Sequence, residues 1–92
     1  MLLKWTEKGI GSVKESPDRP DAAKKEFQAA GAELKEFYLV MGRYDMVVVT
    51  EAPDDETVAK AMLGVASGGA VRTETLRAFT EDEYRKIIAA LP

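Results

Sequence analysis

The stretch Glu33-Leu34-Lys35-Glu36-Phe37-Tyr38-Leu39-Val40-Met41-Gly42-Arg43-Tyr44-Asp45-Met46-Val47-Val48-Val49-Thr50-Glu51-Ala52 decides the fold. It reads as two β-rich runs, Glu33 to Met41 and Tyr44 to Ala52, joined by Gly42-Arg43. A two-residue loop opening on glycine predicts a type II′ hairpin, because glycine supplies the positive φ without a steric penalty. That loop pairs Met41 with Tyr44, and the register of the whole hairpin follows. Side chains alternate along a strand. Phe37, Leu39, Met41, Tyr44, Met46 and Val48 are therefore assigned to one face, and Glu36, Tyr38, Val40, Asp45, Val47 and Val49 to the other.

Working outward, Leu2-Leu3-Lys4-Trp5 is the first strand. Thr6 reads as the N-cap of a short helix, with Trp5 and Ile10 spaced as a hydrophobic staple. Ser16-Pro17 breaks that helix, and Asp18 begins another that carries Ala23, Phe27 and Ala30 on one side and ends at Gly31. Pro53 stops the third strand. Asp54 or Asp55 caps a helix presenting Val58, Ala61, Met62 and Val65, which Ser67-Gly68-Gly69 closes. Ala70 to Ala78 reads as a fourth strand, with Leu76 and Ala78 toward the helices and Val71, Thr73, Thr75 and Arg77 opposite. Thr80 with Glu83 forms a capping box, with Phe79 and Tyr84 as its staple. The last helix, about 81–91, presents Tyr84, Ile87, Ile88 and Leu91. The order is βαββαβ with a C-terminal helix, an α+β ferredoxin-like arrangement around a four-stranded antiparallel sheet, with residues 1–92 as one domain.

In that arrangement helices cover one face of the sheet. The other face carries Val40, Val47 and Val49 beside Leu2, where a solvated face would turn polar. The Met46-Val47-Val48-Val49 run is apolar on both sides. One chain has no spare element to cover it, so a homodimer or larger homo-oligomer is expected.

Composition excludes several chemistries. The 92 residues contain no Cys and no His. A disulfide framework, a Cys nucleophile, a Ser–His pair, a zinc site built on His or Cys, and His-ligated haem are all excluded within one chain. No cofactor and no metal are expected, and nothing ties the chain to an oxidising compartment; a cytoplasmic location is the expectation. The net charge is −3, with basic residues scattered among carboxylates. A nucleic-acid footprint needs them clustered, so no nucleic-acid partner is expected. No segment approaches the roughly 18 apolar residues of a membrane span, and the N-terminus lacks a signal-peptide pattern, so no membrane partner is expected either. At this size, folding buries roughly 64% of the unfolded chain's surface, enough for a core with little margin.

Several segments together resemble the GYD-domain family. Gly42-Arg43-Tyr44-Asp45 matches its namesake Gly-x-Tyr-Asp turn. Glu51-Ala52-Pro53-Asp54-Asp55 and Val71-Arg72-Thr73-Glu74-Thr75-Leu76-Arg77-Ala78-Phe79 are similar to two further signature stretches, and Trp5-Thr6 through Gly9-Ile10 to its opening. The resemblance implies a dimeric α/β barrel, in which two sheets face each other and can enclose a cavity. Superfamily members include monooxygenases and isomerases, an analogy at the level of fold.

The polar residues assigned to the second face are the candidate ligand-binding set: Lys4, Glu36, Tyr38, Asp45, Thr73, Thr75 and Arg77. Asp45 or Glu36 could act as a base, Tyr38 as a proton donor and Arg77 as an anion clamp. The structural alternative pairs Asp45 with Arg77 across an interface, Tyr38 serving as an amphipathic wall. Asp54-Asp55-Glu56 read as helix caps, and Gly64 to Gly69 follows a helix, the wrong context for a phosphate loop. Two functions follow. One is a small organic molecule bound in an inter-subunit cavity, with or without cofactor-free catalysis. The other is an assembly or interaction module with no catalytic activity.

Overall fold

Gly42, at φ +131°, turns the chain between strands that pair in the register its position predicts. The computed structural model describes residues 1–92. In chain order the elements are β1 (Leu2–Trp5), α1 (Glu7–Gly11), a 3-10 turn (Val13–Glu15), α2 (Arg19–Ala30), β2 (Glu33–Leu39), β3 (Met46–Glu51), α3 (Asp55–Ala66), β4 (Val71–Glu74) and α4 (Glu81–Ala89). The four strands form one antiparallel sheet in the order β2-β3-β1-β4, as a ferredoxin-like fold requires.

The hairpin ladder pairs Tyr38 with Val47 and Leu39 with Met46, and the Val40 N–H continues it by donating to the Asp45 carbonyl at 2.9 Å. A bulge at Lys35 puts Leu34 on the buried side together with Phe37, out of simple alternation. The core lies between the sheet and α2 and α3: Leu3, Leu34, Met46, Val48 and Val71 from strands, Phe27 and Ala61 from helices, and Ala32. Phe27 and Ala61 are the most deeply buried, at 2% and 1% exposed. Only nine of the 92 residues are buried, so the hydrophobic layer is thin.

Local capping works as the sequence predicts at three helix starts, whereas Asp18 stands at the start of α2 without a side-chain capping bond. Thr6 accepts the Gly9 N–H, Asp54 accepts the Thr57 N–H and hydroxyl, and Thr80 and Glu83 form a complete capping box. The α1 helix is clamped against the loop before β4. The Thr6 N–H donates to the Ala70 carbonyl, its hydroxyl to the Gly69 carbonyl, and Lys8 to the Gly68 carbonyl. That approach is why position 9 is glycine: a Cβ there would lie 1.9 Å from the Ala70 carbonyl oxygen.

Three expectations are corrected, and a fourth feature was not anticipated. The fourth strand ends at Glu74 instead of Ala78, because its ladder on β1 ends with the pair Leu2–Glu74. Its faces are also exchanged. Val71 lies opposite Trp5 and Thr73 opposite Leu3, on the helix side, while Arg72 and Glu74 lie opposite Lys4 and Leu2 on the open side. Leu39 and Met41, expected under the helices, are 70% and 100% exposed, since no helix extends over that end of the hairpin. Finally, the chain after β4 does not return to its own core. Leu76, Phe79 and every residue of α4 are exposed. The radius of gyration is 14.8 Å, against about 12 Å for a compact domain of this length, and the longest dimension is 52 Å.

Candidate functional site

The open face of the sheet is organised around the turn between β2 and β3. Leu3 lies opposite Met46 in the β1–β3 ladder, yet its carbonyl accepts the Asp45 N–H at 2.9 Å. Two consecutive residues therefore address one, the arrangement of a bulge. Strict alternation is lost there. Tyr44, expected on the helix side, brings its ring instead beneath the Lys4 ammonium, 5.3 Å from the ring centroid. That is within cation–π range. The Tyr44 hydroxyl donates to Glu74 Oε2. This bond, more than desolvation or the carboxylate's charge, pushes the phenol above its ordinary range. Tyr44 is thus held protonated, as a donor and not as a base. Asp45 turns the other way: its Oδ2 accepts the Trp5 N–H at 2.9 Å. The turn so ties β3 to β1 and β4.

Beside it lies a shallow groove of about 190 Å³ lined by Leu2, Lys4, Tyr44, Arg72, Thr73 and Glu74. Across the same face runs the row Glu74, Leu2, Val47, Tyr38, with Val49 and Glu36 one pair further along the hairpin. Val49 and Tyr38 are exposed, and Leu2 and Val47 partly so. The surface is apolar along its middle, with a cation pair at Lys4 and Arg72 and carboxylates at Glu74 and Glu36.

Of the predicted set, Lys4, Glu36 and Tyr38 occupy the open face, where the Tyr38 hydroxyl points to Glu36 Oε2 at 3.4 Å. Asp45 stands at the edge with its carboxylate committed to Trp5. Thr73 lies opposite Leu3 and only borders the groove. Thr75 and Arg77 lie beyond the sheet. Arg77 donates to the Ala78 carbonyl and stacks on Phe79, its guanidinium carbon 4.4 Å from the ring centroid. Asp45 and Arg77 are not paired within the chain. Tyr44, Arg72 and Glu74 are the groove-lining residues that strand alternation placed elsewhere or left out. Alternation did place Asp45 in the candidate set, whereas Tyr44 stood out only within the Gly42-Arg43-Tyr44-Asp45 motif; Val71, as the buried anchor of β4, would have placed Arg72 and Glu74 correctly.

The GYD domain model matches residues 1–88, from the first strand into α4. This chain belongs to the GYD domain family. Its Gly42-Arg43-Tyr44-Asp45 turn connects β2 to β3 and ties β3 to β1 and β4. A protein of Thermus thermophilus, named glutamine synthetase and cystathionine beta-lyase binding protein, is 40% identical to this GYD chain over 79 residues. The match covers 85% of this chain and 83% of the relative. No solved structure matches the chain. No helix is long and apolar enough to cross a membrane.

Proposed function

We propose that this chain is a protein-binding module that works as a homo-oligomer. The observation that carries the homo-oligomer is the open sheet face, where Leu2, Val47, Val49 and Tyr38 form an apolar centre that nothing in the chain covers. A contiguous apolar surface of this kind, rimmed by Lys4, Arg72, Glu36 and Glu74, is typical of a protein contact. The name of the Thermus relative supports the same class of function, since it describes a protein that binds two enzymes. Glutamine synthetase and cystathionine beta-lyase are accordingly the first partners to test for this chain.

The experiment is biolayer interferometry of the purified chain against each enzyme from the same source. Saturable binding in the micromolar range or tighter to either enzyme supports the reading. Absence of binding to both rejects this pair of partners.

The groove favours a second reading, a small organic anion held between subunits by Lys4 and Arg72, with Tyr44, Glu74, Tyr38 and Glu36 around it. Its lining is mostly polar, with two cations that could pair with an anion and Leu2 and the Tyr44 ring as the apolar contribution. It predicts that a panel of small carboxylates contains one that raises the melting temperature of the wild type and not of Lys4→Met.

A further inference from the structure

The segment after β4 is built for burial and is not buried. Tyr84, Ile87, Ile88 and Leu91 recur at the spacing that lines one side of a helix, and all four are exposed, as are Leu76 and Phe79 before them. The opposite side of α4 is already satisfied. Arg85 bridges Glu81 at 3.0 Å and Asp82 at 3.9 Å, and Glu83 closes the capping box on Thr80. What the helix lacks is a cover for its apolar stripe. Residues 75–80 also leave the sheet, because the β1–β4 ladder ends at Leu2–Glu74.

The area decides what kind of cover is missing. A folded monomer of 10.1 kDa exposes about 5,300 Å² by the usual scaling with mass, whereas this chain exposes 6879 Å². The difference, about 1,600 Å² per chain, is twice the roughly 800 Å² that a standard interface takes from each partner. Two chains contributing it would bury an area in the range of obligate homodimers, which runs from about 2,000 to 5,000 Å². A partner met only from time to time would leave that apolar surface in water between encounters. A second copy covers it permanently, and it also supplies the complementary surface. Each chain has one uncovered apolar helix and one uncovered apolar sheet face, so a two-fold pair can satisfy both reciprocally. The dimensions agree. Nine helical residues span about 13 Å, enough to cross the row Leu2, Val47, Tyr38, whose three strands are about 10 Å across.

We propose that the C-terminal arm, residues 75–91, is exchanged between two copies of this chain, its helix lying across the open sheet face of the other copy. This rests on the sheet face being an inter-subunit surface and adds which element covers it.

The test uses full-length chains. The chain has no native Cys, so single cysteines can be placed at will. Val47→Cys and Ile88→Cys chains are prepared separately, mixed through a cycle of unfolding and refolding, and treated with a short bismaleimide. Arm exchange predicts a covalent dimer containing one chain of each kind. In the double variant Val47→Cys/Ile88→Cys, it predicts cross-links between chains. An internally linked monomer in the double variant, meaning an arm folded back on its own sheet, overturns the proposal. So does a stable dimer that yields no mixed cross-link.

Sedimentation of two charge variants separates this proposal from the reading beneath it. Because α4 packs on nothing in its own chain, Ile88→Asp should leave the domain folded by circular dichroism. It should raise the dimer dissociation constant at least about thirtyfold, as loss of a central interface side chain does. If Val47→Asp dissociates the dimer and Ile88→Asp does not, the sheet-face reading stands and arm exchange fails. If Ile88→Asp alone dissociates it, the arm docks elsewhere and the proposal fails with the sheet-face reading. If neither variant changes the mass, both are wrong.

Discussion

The carboxylate of Asp45 accepts the backbone N–H of Trp5 at 2.9 Å, while the Asp45 N–H donates to the Leu3 carbonyl two residues earlier on the same strand. One residue thus continues the β1–β3 ladder beyond the last regular pair, its side chain acting where a main-chain acceptor would otherwise stand. Asp45→Ala should leave the partly buried Trp5 N–H without that acceptor and cost about 1–3 kcal/mol, the penalty for an unsatisfied buried donor. Asp45→Asn keeps a carbonyl oxygen there and should cost less. Urea unfolding of the three proteins measures both, and equal stability of Asp45→Ala and wild type would refute the role.

Tyr44 donates to Glu74, and its folded pKa lies above the ordinary value. A raised folded pKa contributes stability that is complete below the unfolded value, near pH 10, and disappears as pH rises through the folded one. Stability should therefore fall on the alkaline side more steeply in the wild type than in Tyr44→Phe. Melting temperatures measured from pH 8 upward test the sign, and parallel curves would contradict it.

Position 9 tolerates no side chain where α1 meets the Ala70 carbonyl. Gly9→Ala must push α1 away from the loop that Thr6 and Lys8 bind. Overpacking of this kind costs about 1–3 kcal/mol, and the backbone contact sets it toward the upper end. Thermal unfolding of Gly9→Ala within experimental error of the wild type would mean that α1 docks differently.

Asp54 caps α3, and the Thr57 hydroxyl and then the Thr57 N–H hold its carboxyl below the ordinary carboxylate range. The sign is opposite to that of Tyr44. Its contribution is present above the unfolded pKa, near 4, and is lost as pH falls through the folded value. Asp54→Ser retains a cap without an ionisable group, so its stability should fall less than the wild type's between pH 5 and pH 2. Circular dichroism melts across that interval provide the comparison.

These sites also mark what could be read in the sequence. The hairpin was legible because the two-residue Gly42-Arg43 loop between two β-rich runs specifies one register, and Tyr38 does pair with Val47. The caps at Thr6, Asp54 and Thr80 were legible because each involves residues three apart in one segment. The faces of β4 were not. Val71-Arg72-Thr73-Glu74 is too short and mixed to select a parity, and Leu76 and Ala78 nearby suggested the wrong one. Only pairing with β1, remote in sequence, sets Val71 opposite Trp5. Tyr44 escaped for a related reason: a bulge at Asp45 breaks the alternation on which its assignment depended. Both errors fell on the candidate site, where Arg72 and Glu74 join Thr73 beside Lys4 and Thr75 and Arg77 lie beyond the sheet.

A homo-oligomeric binding module requires protein to cover the open face at Val47 in solution. Sedimentation equilibrium of the wild-type chain at micromolar concentration measures this directly. The expected mass is at least twice 10.1 kDa, falling toward 10.1 kDa in Val47→Asp, where like charges would meet across a two-fold interface. A single wild-type species of 10.1 kDa, unchanged by Val47→Asp, would contradict it.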